Sequence, residues 1–207
     1  MDTEVWVYQV GHMIGKAELL RAIAGTNRGM LATAADNQAI LAAVAQLEDR
    51  NPTPRPLEAA EKLDGNWRLL YTTSQELLSI DRVPLLKLGQ IYQFVRVQTQ
   101  RIYNVAEVTG IPFLEGLVSV VAQFEPVSNQ RVKVRFNRGI FGLQRLIGYE
   151  LCDRFVQEIE AGKTFTAFDF PITREDQKGW LDITYLDDDL RVGRGNVGSV
   201  FVLTKVP

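Results

Sequence analysis

Few residues in this chain could do covalent chemistry, and their positions do not favour it. There is one histidine, His12, and one cysteine, Cys152. A Ser–His–Asp or Cys–His relay would have to recruit His12 from the first dozen residues, and a histidine-based metal site meets the same obstacle. Gly193-Arg-Gly-Asn-Val-Gly198 has the GxGxxG spacing of a dinucleotide loop. That loop needs a helix to open after it, so that the pyrophosphate meets a helix N-terminus. Here a Val/Phe run follows, which predicts a glycine-rich hairpin loop. Gly162-Lys163-Thr164 looks like the end of a phosphate loop, but Gln157 stands where the first glycine is required. Asp187, Asp188 and Asp189 have the oxygens for a hard cation, but three consecutive acids between two strand-like runs are more often a solvated turn. The expectation is no catalytic residue, no metal ligand and no cofactor.

The elements that would position a binding site are easier to read. The chain has 207 residues, 46% hydrophobic and 23% charged, with a net charge of −2. That near-neutral balance lacks the basic excess that nucleic-acid binding draws on, so no nucleic-acid partner is expected. A single cysteine excludes an internal disulfide. No apolar run is long enough to span a bilayer. Residues 1–10 carry Asp2 and Glu4 without a basic cluster, and resemble neither a secretory signal nor a transit peptide. Residues 1–12 read as an extension, disordered in this reading, with Met13 as an alternative start.

Residues 13–56 read as a helical appendage. Leu19, Leu20 and Ile23 share one helix face that ends at Gly25. Thr33 with Asp36 resembles a capping box, and Ile40, Val44 and Leu47 follow at helical spacing. Asn51-Pro-Thr-Pro-Arg-Pro56 then forms a stiff, extended connector. From Gly65 the hydrophobic period becomes two. Strands are expected at Trp67–Thr73, Gln90–Val97, Arg101–Val108, Leu117–Glu125, Arg131–Asn137, Thr164–Phe170, Trp180–Leu186 and Ser199–Lys205. About eight strands without alternating helices predict a mainly β protein over residues 57–207: an antiparallel barrel with an interior able to hold one small ligand.

Arg131–Asn137 alternates most cleanly, with Val132, Val134 and Phe136 inward. Tyr92, Phe94 and Arg96 share one side of their strand, and Ile91, Gln93, Val95 and Val97 the other. Such mixed strands fit either edge exposure or the wall of an apolar cavity with a few polar contacts. Two segments interrupt the strands. Ser74–Gly89 carries Leu77, Leu78, Ile80, Val83, Leu85, Leu86 and Leu88. Residues 141–162 place Leu143, Ile147, Leu151, Phe155 and Ile159 at i+4 spacing, predicting an amphipathic helical insertion ended by Gly162. Either segment could pack on the barrel, close a mouth or touch a lipid surface.

Gly65-Asn-Trp67 resembles the lipocalin GxW signature, in which the Trp plugs one barrel end under a basic side chain. The longer blocks Leu63–Ser74 and Gly179–Leu203, together with Gly89–Gln93 and the N-terminal Leu19-Leu20, Arg28-Gly29, Leu47-Glu48 and Asn51-Pro52, resemble the plastid lipid-associated proteins, or fibrillins. The resemblance runs in order over roughly residues 15–205. It implies a lipocalin-like barrel that binds a hydrophobic small molecule of the fatty acid, quinone or carotenoid type without catalysis. It also implies a membrane or lipid-globule surface as partner, with the protein in cyanobacterial cytoplasm or plastid stroma, peripheral to thylakoid membranes or lipid globules.

Two further readings remain open. One is a structural coat, or a scaffold for a partner protein such as a lipid-metabolic enzyme. The other is a chromophore-handling, lipocalin-like enzyme. Gly65, Trp67, Asp188 and Arg194 fall in the signature, where an Arg–Asp pair could fix the last hairpin. Trp67, Tyr92, Phe94, Arg96 and Arg191 are the candidate ligand contacts, with Arg96 or Arg191 as the polar anchor because each stands in an otherwise apolar strand.

Overall fold

The computed structural model describes residues 15–78, 87–110, 112–173 and 178–207. The extension expected at residues 1–12, His12, Met13, and Ile80, Val83, Leu85 and Leu86 lie outside the described residues.

Helix α1 covers residues 15–23 and closes at Gly25, whose φ of 84° suits a residue without a Cβ. Helix α2, Ala34–Glu48, begins with the expected capping box: the Thr33 hydroxyl accepts from the Asp36 N–H at 3.1 Å, and the Asp36 carboxylate accepts from the Thr33 N–H at 2.9 Å. Its buried stripe is Ile40, Val44 and Leu47. The proline connector is stitched to the barrel by Asn51, whose amide donates to the Thr53 and Thr184 carbonyls and whose Oδ1 accepts from the Thr53 and Leu186 N–H groups. A 3-10 turn, Pro56–Glu58, and a short helix α3, Ala60–Leu63, lead into the sheet.

The strands are β1 Gly65–Thr72, β2 Lys87–Arg96, β3 Arg101–Thr109, β4 Gly116–Pro126, β5 Arg131–Leu143, β6 Phe168–Pro171, β7 Lys178–Leu186, β8 Leu190–Gly195 and β9 Val200–Val206. Short helices α4 Gln75–Leu78 and α5 Gln144–Ile147 and the longer α6 Cys152–Glu160 lie between them. Antiparallel pairing runs β1-β2-β3-β4-β5-β7-β8-β9 and returns from β9 to β1, so eight strands close a barrel. Closure leaves no exposed edge in that ring. The ninth strand, β6, pairs with residues 138–141 of β5, beyond the stretch of β5 that β7 covers.

Two details differ from the sequence expectation. Strand β8, Leu190–Gly195, forms where no strand is expected and runs into the predicted glycine-rich loop, taking up Gly193 and Gly195. A Cβ at Gly193 would stand 3.1 Å from Leu181 Cδ1, and one at Gly195 3.2 Å from Phe201 Cε2. Glycine there lets the inward side chains of neighbouring strands cross the backbone, at the cost of a recognisable strand pattern. The expected single helix over 141–162 is split: β5 continues to Leu143, Gly148 breaks the chain at φ 75°, and α6 starts only at Cys152.

Three apolar clusters result. The lumen holds Trp67, Leu69, Ile91, Val95, Ile102, Ala122, Phe124, Val132 and Leu203 among others. Outside the wall, α6 presses Phe155, Val156 and Ile159 onto Phe94, Tyr103, Val105, Leu117, Val121 and Ile140. On another side α1 and α2 cover Tyr71, Tyr185, Val192, Val200 and Val202. The amphipathic face of α6 is thus spent on the barrel.

Candidate ligand site in the barrel lumen

Trp67 forms the floor of the lumen. It is fully buried, and its indole N–H donates to the Leu63 carbonyl of α3 at 3.0 Å. Gly65 precedes it with φ 128°, and a Cβ there would lie 2.8 Å from Lys205 Cε. The glycine therefore lets Lys205 fold over the base, where its ammonium donates to the Lys62 carbonyl at 2.8 Å and stands 5.4 Å from the Trp67 ring. On the lumen side the Arg191 guanidinium lies 4.7 Å from the same ring. The basic side chain implied by the GxW resemblance is therefore present.

Arg191 comes from β8, where Leu190 and Val192 point outward under the N-terminal helices and position 191 must point in. It is 2% exposed. Its guanidinium donates to Gln93 Oε1; the Gln93 amide donates to Asn104 Oδ1 at 2.8 Å, and the Asn104 amide to the Val120 carbonyl at 3.5 Å. Burial pulls Arg191 down to about 9, still a cation at neutral pH. Its hydrogen-bond partner and its aromatic neighbour are both neutral, and among the described residues no carboxylate pairs with it. A buried charge without a counter-charge is costly. Above this layer Val118, Phe136, Leu181 and Phe201 are only partly buried. Register puts Val118, Leu181 and Phe201 toward the β1-end, β4-start and β8-end rim, where the lumen face is partly exposed.

The other candidate contacts lie elsewhere. Tyr92 and Phe94 face out of the barrel and pack against the α6 cluster. Arg96, on the same outer face, pairs with Glu160 of α6 at 3.0 Å and donates to Asn66 Oδ1 at 3.2 Å. It borders an external cleft of about 430 Å³ with Arg101, Gln98 and Thr99. A second external cleft of about 300 Å³ lies between Asn37, Met30 and Thr73. Of the five candidate ligand contacts, the fold brings together Trp67 and Arg191. Gln93 and Asn104 join them; the signal for Gln93 was a polar residue inside the run Ile91, Val95, Val97.

The signature residues also find their places. Arg194 does not pair with Asp188. It makes a two-pronged bond to Glu48 of α2, at 2.8 and 2.7 Å, tying the appendage to the barrel. Asp188 pairs with Lys62 at 2.6 Å. The reason is direction: Asp188 lies at the β7–β8 hairpin tip, while position 194 faces outward beneath α2. Asp187 organises that tip, accepting from the Asp189 and Leu190 N–H groups, the Tyr185 hydroxyl and Lys16. Burial alone would raise its carboxyl, but the Tyr185 and Lys16 bonds win and hold it at about 2. Cys152 is the first residue of α6 and packs with its buried face against the barrel, where burial pushes its thiol up to about 12, so it stays protonated and is a poor nucleophile.

Among the described residues no helix is long and apolar enough to cross a membrane. The family model PAP_fibrillin matches residues 13–204. The chain is 32% identical over 217 residues to a chloroplastic light-induced protein of Solanum tuberosum, covering 92% of this chain and 66% of that protein. It is 33% identical to a chromoplast-specific carotenoid-associated protein of an Oncidium hybrid cultivar, over 92% of this chain and 68% of that one. It is 34% identical to the chloroplastic plastoglobulin-1 of Pisum sativum, over 92% of this chain and 60% of that one. This chain thus spans about two thirds of the length of those relatives. No solved structure matches it. The chain belongs to the PAP/fibrillin family, among the plastid-lipid-associated proteins.

Proposed function

We propose that this protein is a non-catalytic carrier of a hydrophobic small molecule, of the fatty acid, quinone or carotenoid type, with the molecule's polar end on Arg191 and its chain directed to the upper lumen. It works beside thylakoid membranes or lipid globules, in plastid stroma or cyanobacterial cytoplasm. The observation that carries this reading is the buried Arg191 cation with neutral partners at the base of a closed barrel. A ligand carboxylate would supply the counter-charge that the protein withholds. A charge-assisted hydrogen bond of this kind is worth about 1.5–3 kcal/mol, and each buried methylene adds about 0.8 kcal/mol. Among the three ligand types an acid is therefore favoured. Relatives named for carotenoids and plastoglobules support the lipophilic part of the reading.

The test is titration of delipidated protein with fatty acids and quinones, comparing wild type, Arg191→Ala and Arg96→Ala. Arg191→Ala should weaken acid binding about tenfold or more, and Arg96→Ala should leave it unchanged. Equal affinity in all three proteins removes the proposed anchor.

A further inference from the structure

At the upper end of the barrel, β5 runs past β7 and takes β6 as its neighbour instead. Register shows which way its residues point there. Phe141 pairs with Val118, an inward residue of β4, and Phe168 pairs with Phe141. Phe170 stands over Gly139, where a Cβ would be 2.9 Å from the ring. All three phenylalanines therefore occupy the lumen-side face of a flared wall, and all are exposed, Phe168 by 71%. The flare is fastened by an ion pair: Arg138 on β5 donates to Asp169 on β6 in two bonds of 2.8 and 2.7 Å.

The neighbouring segments extend the same lip. The Gln144 N–H donates to the Glu115 carbonyl at 2.8 Å, joining α5 to the loop that carries Phe113 and Leu114. Phe113 is 77% exposed at φ 69°, a conformation that non-glycine residues rarely adopt. Leu146, on the α5 helix that the Gln144 bond joins to the loop, is exposed as well. Monomeric proteins seldom gather this many large apolar tips in one place.

The geometry points to this lip as a docking surface for a lipid layer that carries anionic headgroups. Three features choose that occupant. The apolar tips stand on four separate segments and project as a fringe, which suits a fluid partner that closes around each tip; no groove shaped for a protein side chain is needed. Arg145 and Lys87 are exposed at the same end and have no ion-pair partner among the described residues, while Glu115 turns back onto the Phe113 N–H at 3.3 Å. Cations bordering an apolar fringe match anionic headgroups above hydrocarbon. Finally, the phenylalanines lie on the lumen-side face, so a docked barrel would open its mouth toward the lipid. This deepens the carrier reading and rests on it for what passes through that mouth.

The experiment is flotation of the full chain with phosphatidylcholine vesicles, with and without phosphatidylglycerol. The triple variant Phe113→Ser, Phe141→Ser, Phe168→Ser should lower vesicle binding about tenfold or more while retaining uptake of a soluble short-chain fatty acid. Arg145→Ala should lose about fivefold, on the phosphatidylglycerol vesicles alone. Arg191→Met should float like wild type even where it fails to take up ligand, which separates failure of the carrier reading from failure of the docking surface. As a check independent of the triple variant's folding, a polarity-sensitive dye on Phe168→Cys should shift to the blue with vesicles, Cys152 being buried on the barrel-facing side of α6. Undiminished flotation of a folded triple variant, or an unshifted dye, overturns the proposal. So does lipid-free self-association that the triple variant abolishes while flotation persists, which would assign the lip to a second copy of the chain.

Discussion

The barrel wall is buried on both sides, and the two sides treat their polar groups differently. On the outer side, beneath α6, the Tyr149 hydroxyl donates to Glu107 at 2.6 Å and Arg96 meets Glu160; the remaining contacts are mainly aliphatic and aromatic, with the buried Ser119 hydroxyl left without a hydrogen-bond partner among the described residues. There each charge has an opposite charge or a local donor. On the inner side a cation sits deeper than either of those groups, with an amide and an indole for company. The outer layer reads as a device for stability. On the proposed carrier role, the inner layer gives up stability to prepare a binding site in advance.

Truncating the outer layer alone separates the two sides of the wall. Phe155→Ala empties a site that is 2% exposed and should cost about 3–5 kcal/mol in a denaturant melt, with ligand affinity per folded molecule unchanged. An equal loss of affinity would mean that the two sides are not separable. Next in size, Arg191→Met should raise the stability of the ligand-free protein by about 1–3 kcal/mol, since an apolar side chain of similar volume removes an uncompensated charge. A destabilised Arg191→Met protein would show that the guanidinium is structural.

The acid limb of stability offers a smaller effect. The Asp187 carboxyl is held at about 2, below its ordinary 3.8, so it is lowered by folding. It contributes fully above the unfolded value, and that contribution is lost as pH falls from about 4 through about 2. Asp187→Asn should remove about 1–2 kcal/mol at pH 7 and flatten the dependence in that window, as read from melts across pH. Smallest, Thr33→Ala removes the α2 capping box and should cost about 1 kcal/mol with no change inside the barrel.

The sequence made some of this legible for identifiable reasons. The α2 cap, the Ile40–Val44–Leu47 stripe and the inward set Val132, Val134 and Phe136 were readable because each has one buried face. Trp67 was readable from its glycine spacing, and Arg191 from a charge in an apolar run. Tyr92 and Phe94 fell on the wrong side of the wall because α6 covers that side. Where both faces of a strand are buried, alternation shows which residues share a face but not which face looks inward. Gln93 therefore went unselected although it stood on the true lumen side. Strand β8 was hidden by Gly193 and Gly195, whose role is to let Leu181 and Phe201 pass. The lip was hidden because β5 and α5 share a hydrophobic spacing that also fits one long helix.

On the proposed carrier role, Arg191 waits for an acidic head inside the barrel. Calorimetric titration of delipidated protein with a long-chain fatty acid and with the alcohol of equal chain length tests it most directly. The acid should bind more tightly by about 1.5–3 kcal/mol in the wild type, and the preference should vanish in Arg191→Met while the alcohol's affinity holds. Equal binding of acid and alcohol by the wild-type protein would rule out Arg191 as the anchor of an acidic ligand.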